Sequence, residues 1–330
     1  MKRRNIIVIG ASAGGVSALQ NLFAQMPSRL DASFFVVLHI PPTSPSILAS
    51  LINNAGPLTV KAAADQAPIQ PGVVYVAPPD VHLLIKPGYI HLHKGPRENR
   101  HRPAIDPLFR SAAVAYTSQV VGVVLTGFLD DGTSGLLAVK RCGGIAIAQS
   151  PTDAEYPDMP ASAIRTGQVD YELPIRNMGA AIRELIQTHA PPVHAVPQDI
   201  AMEAKIAESA VSNISGENKL GHLVPISCPE CGGPLWAIEQ ALENSGPCRY
   251  RCHVGHGFTA KALMASQDIA VEQALWAAMR TMEERANLTE MMAEDEHQRG
   301  RDKSAEVYQE RSSLLRSHAD VIRKLLTDRI

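Results

Sequence analysis

Along the first half of the chain, short runs of β-branched and other apolar residues alternate with stretches whose apolar positions recur every three or four residues. The first run, residues 6–10, leads into Val16, Leu19, Leu22, Phe23 and Met26 at helical spacing, and Pro27 ends that helix. Phe34 to His39 reads as a second buried strand. Ser44 is placed to cap, and Pro45 to open, a helix with Ile47, Leu48, Leu51 and Ile52 on its apolar face. A strand at 73–78, a hairpin at 82–93 turning at Pro87 and Gly88, a helix over 103–117 and a strand at 120–127 follow. A helix at 133–141, a strand at 145–148 and a helix near Pro160 complete the series. Strands that are apolar throughout, separated by helices, predict a mainly parallel sheet covered on both faces. The expected fold class is therefore α/β, a three-layer doubly wound domain over residues 1–190.

The pattern then changes twice. Residues 191–221 carry Pro191, Pro192, Pro197 and a polar stretch at 212–219, which predicts a linker with a short helix near 199–209. A small cysteine-bearing module is expected over 222–262, and a long α-helical tail over 263–330, where Gly300 is the sole glycine. Val271, Leu275, Met279 and Met282 form one apolar stripe in that tail, continued by Leu288, Met291 and Met292. Leu314, Leu315, Val321, Ile322, Leu325 and Leu326 form another. A helical hairpin or a coiled coil between copies, giving a homo-oligomer, would bury these stripes.

The length of 330 residues suggests about two domains. With 45% apolar and 19% charged residues the chain is not a disordered one, and 31 basic against 33 acidic residues leave a net charge of -2. Such a balance provides no overall field for nucleic acid or anionic membranes, so neither is an expected partner. The apolar run after Met1-Lys2-Arg3-Arg4 is too short for a signal peptide. No stretch reaches the ~18 apolar residues of a membrane span, and a cytoplasmic location without membrane insertion is expected. Five cysteines are too sparse for a disulfide framework; four fall between Cys228 and Cys252, which points to metal, and Cys142 reads as buried filler.

Candidate chemistry begins at Gly10-Ala11-Ser12-Ala13-Gly14-Gly15, a turn that leaves a parallel strand and enters a helix. A dinucleotide site would want glycine where Ser12 stands and an acidic residue about 20 positions later, and the latter is missing. The same residues satisfy G-x-S-x-G, the sharp elbow that exposes a serine hydroxyl beside backbone N–H groups. A serine needs a base. His39 ends the second strand, with Pro41 and Pro42 turning the chain away, whereas His82, His91 and His93 read as half-exposed hairpin positions. The strand at 120–127 leads to Asp130 and Asp131, either of which could orient His39. Ser12, His39 and Asp131 make a Ser-His-Asp triad assembled from three strand ends.

Four ordered blocks, residues 8–15, 36–42, 95–109 and 123–136, resemble the catalytic domain of CheB, the chemotaxis protein-glutamate methylesterase. The resemblance covers about residues 4–188 and implies Ser12 as nucleophile, His39 as base and Asp131 as the orienting carboxylate. It also implies hydrolysis of glutamate methyl esters on methyl-accepting chemoreceptors or related proteins, with methanol released, and in some members deamidation of receptor glutamines. A CheR-type methyltransferase is the corresponding partner. No cofactor is needed for this chemistry. Ala13 stands where the family often has threonine, and Phe128 where it often has methionine beside the oxyanion region. Family members in chemotaxis carry an N-terminal receiver domain; with the first strand opening at residue 6, a stand-alone form is expected. Arg102, in the basic block 99–103, and Phe128 are the candidate substrate contacts.

Cys228-x2-Cys231 and Cys252-x3-His256 give two ligand pairs separated by 20 residues, the pattern of a tetrahedral zinc site. Cys248 or His253 could replace one ligand. Four protein ligands leave no open position, so a structural zinc in a zinc-ribbon-like module is expected. The string also resembles the C-terminal segment of some stand-alone CheB-like proteins. The reading from another class is a signalling adaptor with a vestigial esterase site, acting through its zinc-helical tail.

Overall fold

Residue alternation along the buried strands decides the layers. The computed structural model describes residues 3–45, 47–192, 195–208, 221–238 and 248–327. Seven strands form one sheet: β1 (Ile6–Ala11), β2 (Ser33–Leu38), β3 (Thr59–Ala62), β4 (Val73–Val76), β7 (Val120–Val124), β8 (Ile145–Gln149) and β9 (Tyr171–Leu173). The order is β3-β4-β2-β1-β7-β8-β9, and every pairing is parallel. A hairpin, β5 (His82–Lys86) and β6 (Tyr89–His93), stands apart as its own antiparallel pair.

Because side chains of a strand point alternately to opposite faces, the sheet divides its apolar residues between two cores. Ile6, Val8, Phe35, Val37, Val120 and Val124 pack on one face, with α3 (Ile105–Tyr116), α4 (Thr133–Arg141) and α5 (Asp158–Ile164). Ile7, Ile9, Phe34, Val36, Val121 and Val123 pack on the other, with α1 (Gly15–Phe23), α2 (Leu48–Asn53) and α6 (Ile175–Gln187). The three-layer α/β expectation is met. The short edge strands β3 and β9 and helix α6 were not read from the sequence. Within the expected linker, α7 (Gln198–Glu208) forms, and the polar stretch at 212–219 lies outside the described residues.

The cysteine-bearing segment is a four-stranded antiparallel sheet, β10 (Gly221–Ser227), β11 (Pro234–Ile238), β12 (Arg249–Cys252) and β13 (Gly257–Thr259). Packing divides the chain into Met1–Leu263, which contains this sheet, and Met264–Ile330. The long helices α8 (Ala260–Gln298) and α9 (Asp302–Thr327) are joined at Gly300, whose φ of 72° suits the turn. The expectation from the apolar stripes is met in part: Leu326 is buried and Leu275, Met279, Met282, Leu315 and Ile322 are half-buried. Ala286, Ala293, Ser312 and Ala319 are buried at seven-residue spacings, and Ser312 Oγ donates to Ala286 O at 2.9 Å. Small residues let the helices approach closely, which leaves Leu288, Met291, Leu314, Val321 and Leu325 on the outside. No described helix is long and apolar enough to cross a membrane.

Candidate active site

From β1 the sheet extends through β2 and β4 to β3 on one side and through β7, β8 and β9 on the other, and the chain crosses from the first side to the second after β4. The crevice outside the carboxyl ends at such a reversal is where open parallel sheets collect functional groups. Ser12 follows β1, His39 follows β2, and Asp131 follows β7 at the entrance to α4. The structure brings all three together. His39 Nδ1 lies 3.2 Å from Ser12 Oγ, and His39 Nε2 lies 2.7 Å from Asp131 Oδ2. A hydroxyl, an imidazole and a buried carboxylate in line is the arrangement that makes a serine nucleophilic.

The serine turn is fixed from below. Ser12 N–H donates to Thr126 O at 2.9 Å, and Thr126 Oγ1 donates to Ala13 O at 3.0 Å. A Cβ on Gly127 would meet Ser12 Cβ at 2.7 Å and Met159 Sδ at 2.2 Å, so only glycine lets the two turns close on each other.

Of the two aspartates left open by the sequence, Asp131 faces His39, while Asp130 Oδ1 accepts the Thr259 hydroxyl at 2.6 Å. Asp131 is buried and also accepts from Ile105 N–H at 2.8 Å, Gly132 N–H at 3.0 Å, Asp106 N–H at 3.3 Å and the Asn99 amide at 2.8 Å. Burial works to raise its carboxyl, but the His39 contact and these donors hold it below the usual carboxylate range. Asp106, buried beside it, accepts from Gly135 N–H at 2.6 Å at the start of α4; burial and the Asp131 carboxylate push it up.

Residues 97–102 overlap the basic block 99–103, in which the sequence singled out Arg102 alone. Asn99 is buried between Asp131 and Asp106. The His101 ring stacks on His39 with centroids 3.6 Å apart, and burial, with His39 beside it, lowers its pKa to about 3, so it is a neutral neighbour. His82, expected half-exposed, is buried: Nε2 donates to Pro96 O at 2.9 Å and Nδ1 accepts from Ala104 N–H at 3.3 Å, which anchors the same segment.

A groove of about 340 Å³ opens over the site, lined by Ser12, His39, residues 40–42, Arg97, Arg100, His101 and Arg102. Arg102 reaches the groove, but its guanidinium is committed to Asp80 Oδ1 at 2.6 Å and Gly95 O at 2.7 Å. Phe128 is exposed, with its ring 4.5 Å from that of Tyr156.

The second constellation is also assembled. Ligand atoms of Cys228, Cys231, Cys252 and His256 lie within 4.8 Å of one another. Cys231 Sγ is 3.6 Å from Cys252 Sγ, and His256 Nδ1 is 3.8 Å from Cys228 Sγ and 3.5 Å from Cys252 Sγ. These separations suit the edges of a tetrahedron whose bonds to zinc are about 2.0–2.3 Å. Cys248 is exposed and, like His253, outside the cluster.

With this geometry in hand, comparison with known proteins is consistent along the catalytic portion. The sequence model of a family described as CheB methylesterase matches residues 7–182. A protein of Leptospira interrogans named putative protein-glutamate methylesterase/protein-glutamine glutaminase is 37% identical over 184 residues, 56% of this chain and 95% of that protein. A Thermotoga maritima protein named protein-glutamate methylesterase/protein-glutamine glutaminase is 37% identical over 185 residues, 55% of this chain but 54% of the relative. The crystal structure of the Thermotoga maritima CheB methylesterase catalytic domain superimposes with a TM-score of 0.55 at 36% identity, covering 56% of this chain and 100% of that one.

Proposed function

The chain belongs to the CheB methylesterase family, and on that premise we propose that it hydrolyses glutamate methyl esters on a methylated signalling protein through an acyl-enzyme on Ser12. His39 Nδ1 takes the Ser12 proton as Oγ attacks the ester carbonyl. The Nε2–H to Asp131 bond fixes the tautomer and stabilises the imidazolium that forms. His39 then gives the proton to the departing methoxide, methanol leaves, and the same nitrogen activates the water that frees the glutamate. A glutamine side chain would follow the same course with ammonia as the leaving group, which is the deamidase activity in the relatives' names. The observation that carries this reading is the continuous line Ser12–His39–Asp131.

Among the described residues the backbone N–H of Ala13, after Ser12, and of Phe128, after Gly127, have no protein acceptor. They are the donors we assign to the oxyanion, and each is worth about 100-fold to 1,000-fold in rate. The substrate is a methylated glutamate on a helical chemoreceptor or a related protein, and a CheR-type methyltransferase is the class of enzyme that forms such an ester. Arg97 and Arg100 line the groove and suit the acidic surroundings of a glutamate-rich helix. Cys228, Cys231, Cys252 and His256 would hold a structural zinc ion, which stiffens a sheet that has only a small core of its own.

The test is methanol release from methylated receptor. Ser12→Ala is expected to lower kcat by at least about 1,000-fold, as losses of a triad serine do. Equal release by the variant and the wild type would remove Ser12 from the mechanism, and the adaptor reading would replace this one.

A further inference from the structure

One segment, residues 97–102, lies between the cysteine-bearing sheet and the triad and is bonded to both. Gly257 N–H donates to Arg97 O at 3.2 Å and Asn99 N–H donates to Gly257 O at 2.8 Å, so Glu98 pairs with Gly257 of β13 in a single parallel bridge. The segment then turns through Asn99 (φ 49°) and Arg100 (φ 74°), and asparagine tolerates this left-handed conformation better than most residues.

The turn directs the Asn99 side chain inward, where it is 4% exposed. Its amide nitrogen donates to Asp131 Oδ1 at 2.8 Å and to Asp106 Oδ2 at 2.9 Å, while its carbonyl oxygen accepts from Thr259 N–H at 2.9 Å. The two carboxylates need a donor and the Thr259 amide needs an acceptor; a primary amide supplies both without adding charge. His101, two residues on, stacks on His39. Residues 97–101 thus touch the orienting carboxylate and the base together.

The cluster residues bracket the turn that delivers these contacts. Cys252 N–H donates to His256 O at 3.0 Å and Gly255 N–H to Cys252 O at 2.8 Å, and Gly257 follows His256 directly. An ion held by Cys252 and His256 would fix the stretch from which Gly257 and Thr259 reach Asn99. We propose that Asn99 is a positioning residue for the triad, and that metal binding at Cys228, Cys231, Cys252 and His256 switches the site on by holding residues 97–101 against β13. This rests on the methylesterase reading above. The ion takes no part in the ester chemistry. The cysteine-bearing sheet lies outside the family-matched residues 7–182, so the coupling goes beyond what that match covers.

The test uses the full chain with zinc removed by a chelator and then restored, followed by two readouts. One is kcat and KM for methanol release. The other is the downfield proton resonance of His39 Nε2–H bonded to Asp131, identified by its absence in His39→Gln. Zinc removal is expected to broaden or abolish the resonance and lower kcat by about 10-fold to 100-fold, and zinc addition to restore both. A resonance and a rate that ignore zinc, or a chain that binds none, overturn the coupling while leaving the methylesterase reading intact. A zinc-responsive resonance without methanol release from any form would instead sink the methylesterase reading alone.

Should the zinc-free chain unfold, Asn99→Asp decides. It keeps shape and backbone preference, but sets a third carboxyl against Asp131 and Asp106 in place of the donor. At full zinc occupancy it is expected to lower kcat by about 10-fold to 100-fold with KM within about twofold and to shift the His39 resonance. A kcat within about threefold of wild type and an unmoved resonance would overturn the role of Asn99.

Discussion

At the residue scale, Gly127 sets how closely the turn that carries Ser12 and the turn after β7 approach. Its missing Cβ leaves the space that Ser12 Cβ and the Met159 sulfur occupy, and Ser12 cannot retreat while its N–H is bonded to Thr126 O. Gly127→Ala is therefore expected to displace the serine and lower kcat by about 100-fold, the scale of a 1 Å misplacement of a reacting group. The fold should survive, because overpacking of this kind costs about 1–3 kcal/mol. Steady-state kinetics beside a thermal melt checks this, and an unchanged kcat would show that Met159 yields instead. Ser12, His39 and Asp131 were legible because each ends or follows an apolar strand run, which places it at one sheet edge. Asn99 was not. Its partners come from residues 106, 131 and 259, and nothing in the string Asn99-Arg100-His101-Arg102 distinguishes an inward amide from a solvated one.

At the element scale, buried ion pairs join parts that sequence patterning treated separately. Glu203 of α7 pairs with Arg249 of β12 at 2.6 Å, with Arg110 of α3 at 3.4 Å and with Arg251 of β12 at 3.6 Å; Glu98 pairs with Arg110 at 2.7 Å. The expected linker thus contributes a helix that binds the cysteine-bearing sheet to the catalytic layers. Burial works to raise the Glu203 carboxyl, but Arg249, Arg110 and Arg251 bring it down from 4.5 to about 2. A carboxyl held low when folded adds stability that is complete above its ordinary value and lost as pH falls toward its folded one. Glu203→Gln is expected to cost about 3–5 kcal/mol at pH 7, because it leaves buried guanidinium groups short of a partner. In urea unfolding the deficit should shrink between about pH 4.5 and about pH 2 as wild-type Glu203 also becomes neutral. An equal deficit across that range would refute the assignment. Hydrophobic period alone revealed the central strands because they are buried on both faces. It missed β3 and β9 because those short edges are largely exposed and carry no such pattern.

At the scale of the whole molecule, the position of the division between units matters more than the number of segments. Among the described residues, every hydrogen-bond partner of Ser12, His39, Asp131 and Asn99 lies within Met1–Leu263. Thr259 Oγ1 accepts from Ala262 N–H at 3.1 Å, so it caps the first turn of α8 while bonding Asp130. A chain ending after Ala270 keeps that cap and all the triad's contacts; its methanol release is expected to stay within about threefold of the full chain. A chain ending after Ala190 retains the family-matched portion but loses α7, the cysteine-bearing sheet and the Thr259 and Gly257 contacts to Asn99. Its kcat is expected to fall by about 10-fold or more. A docking tail would give the reverse, with both truncations fully active on receptor ester and impaired only in association. Comparing the two chains on one methylated substrate therefore separates a sheet that positions the catalytic groups from one that only recruits a partner.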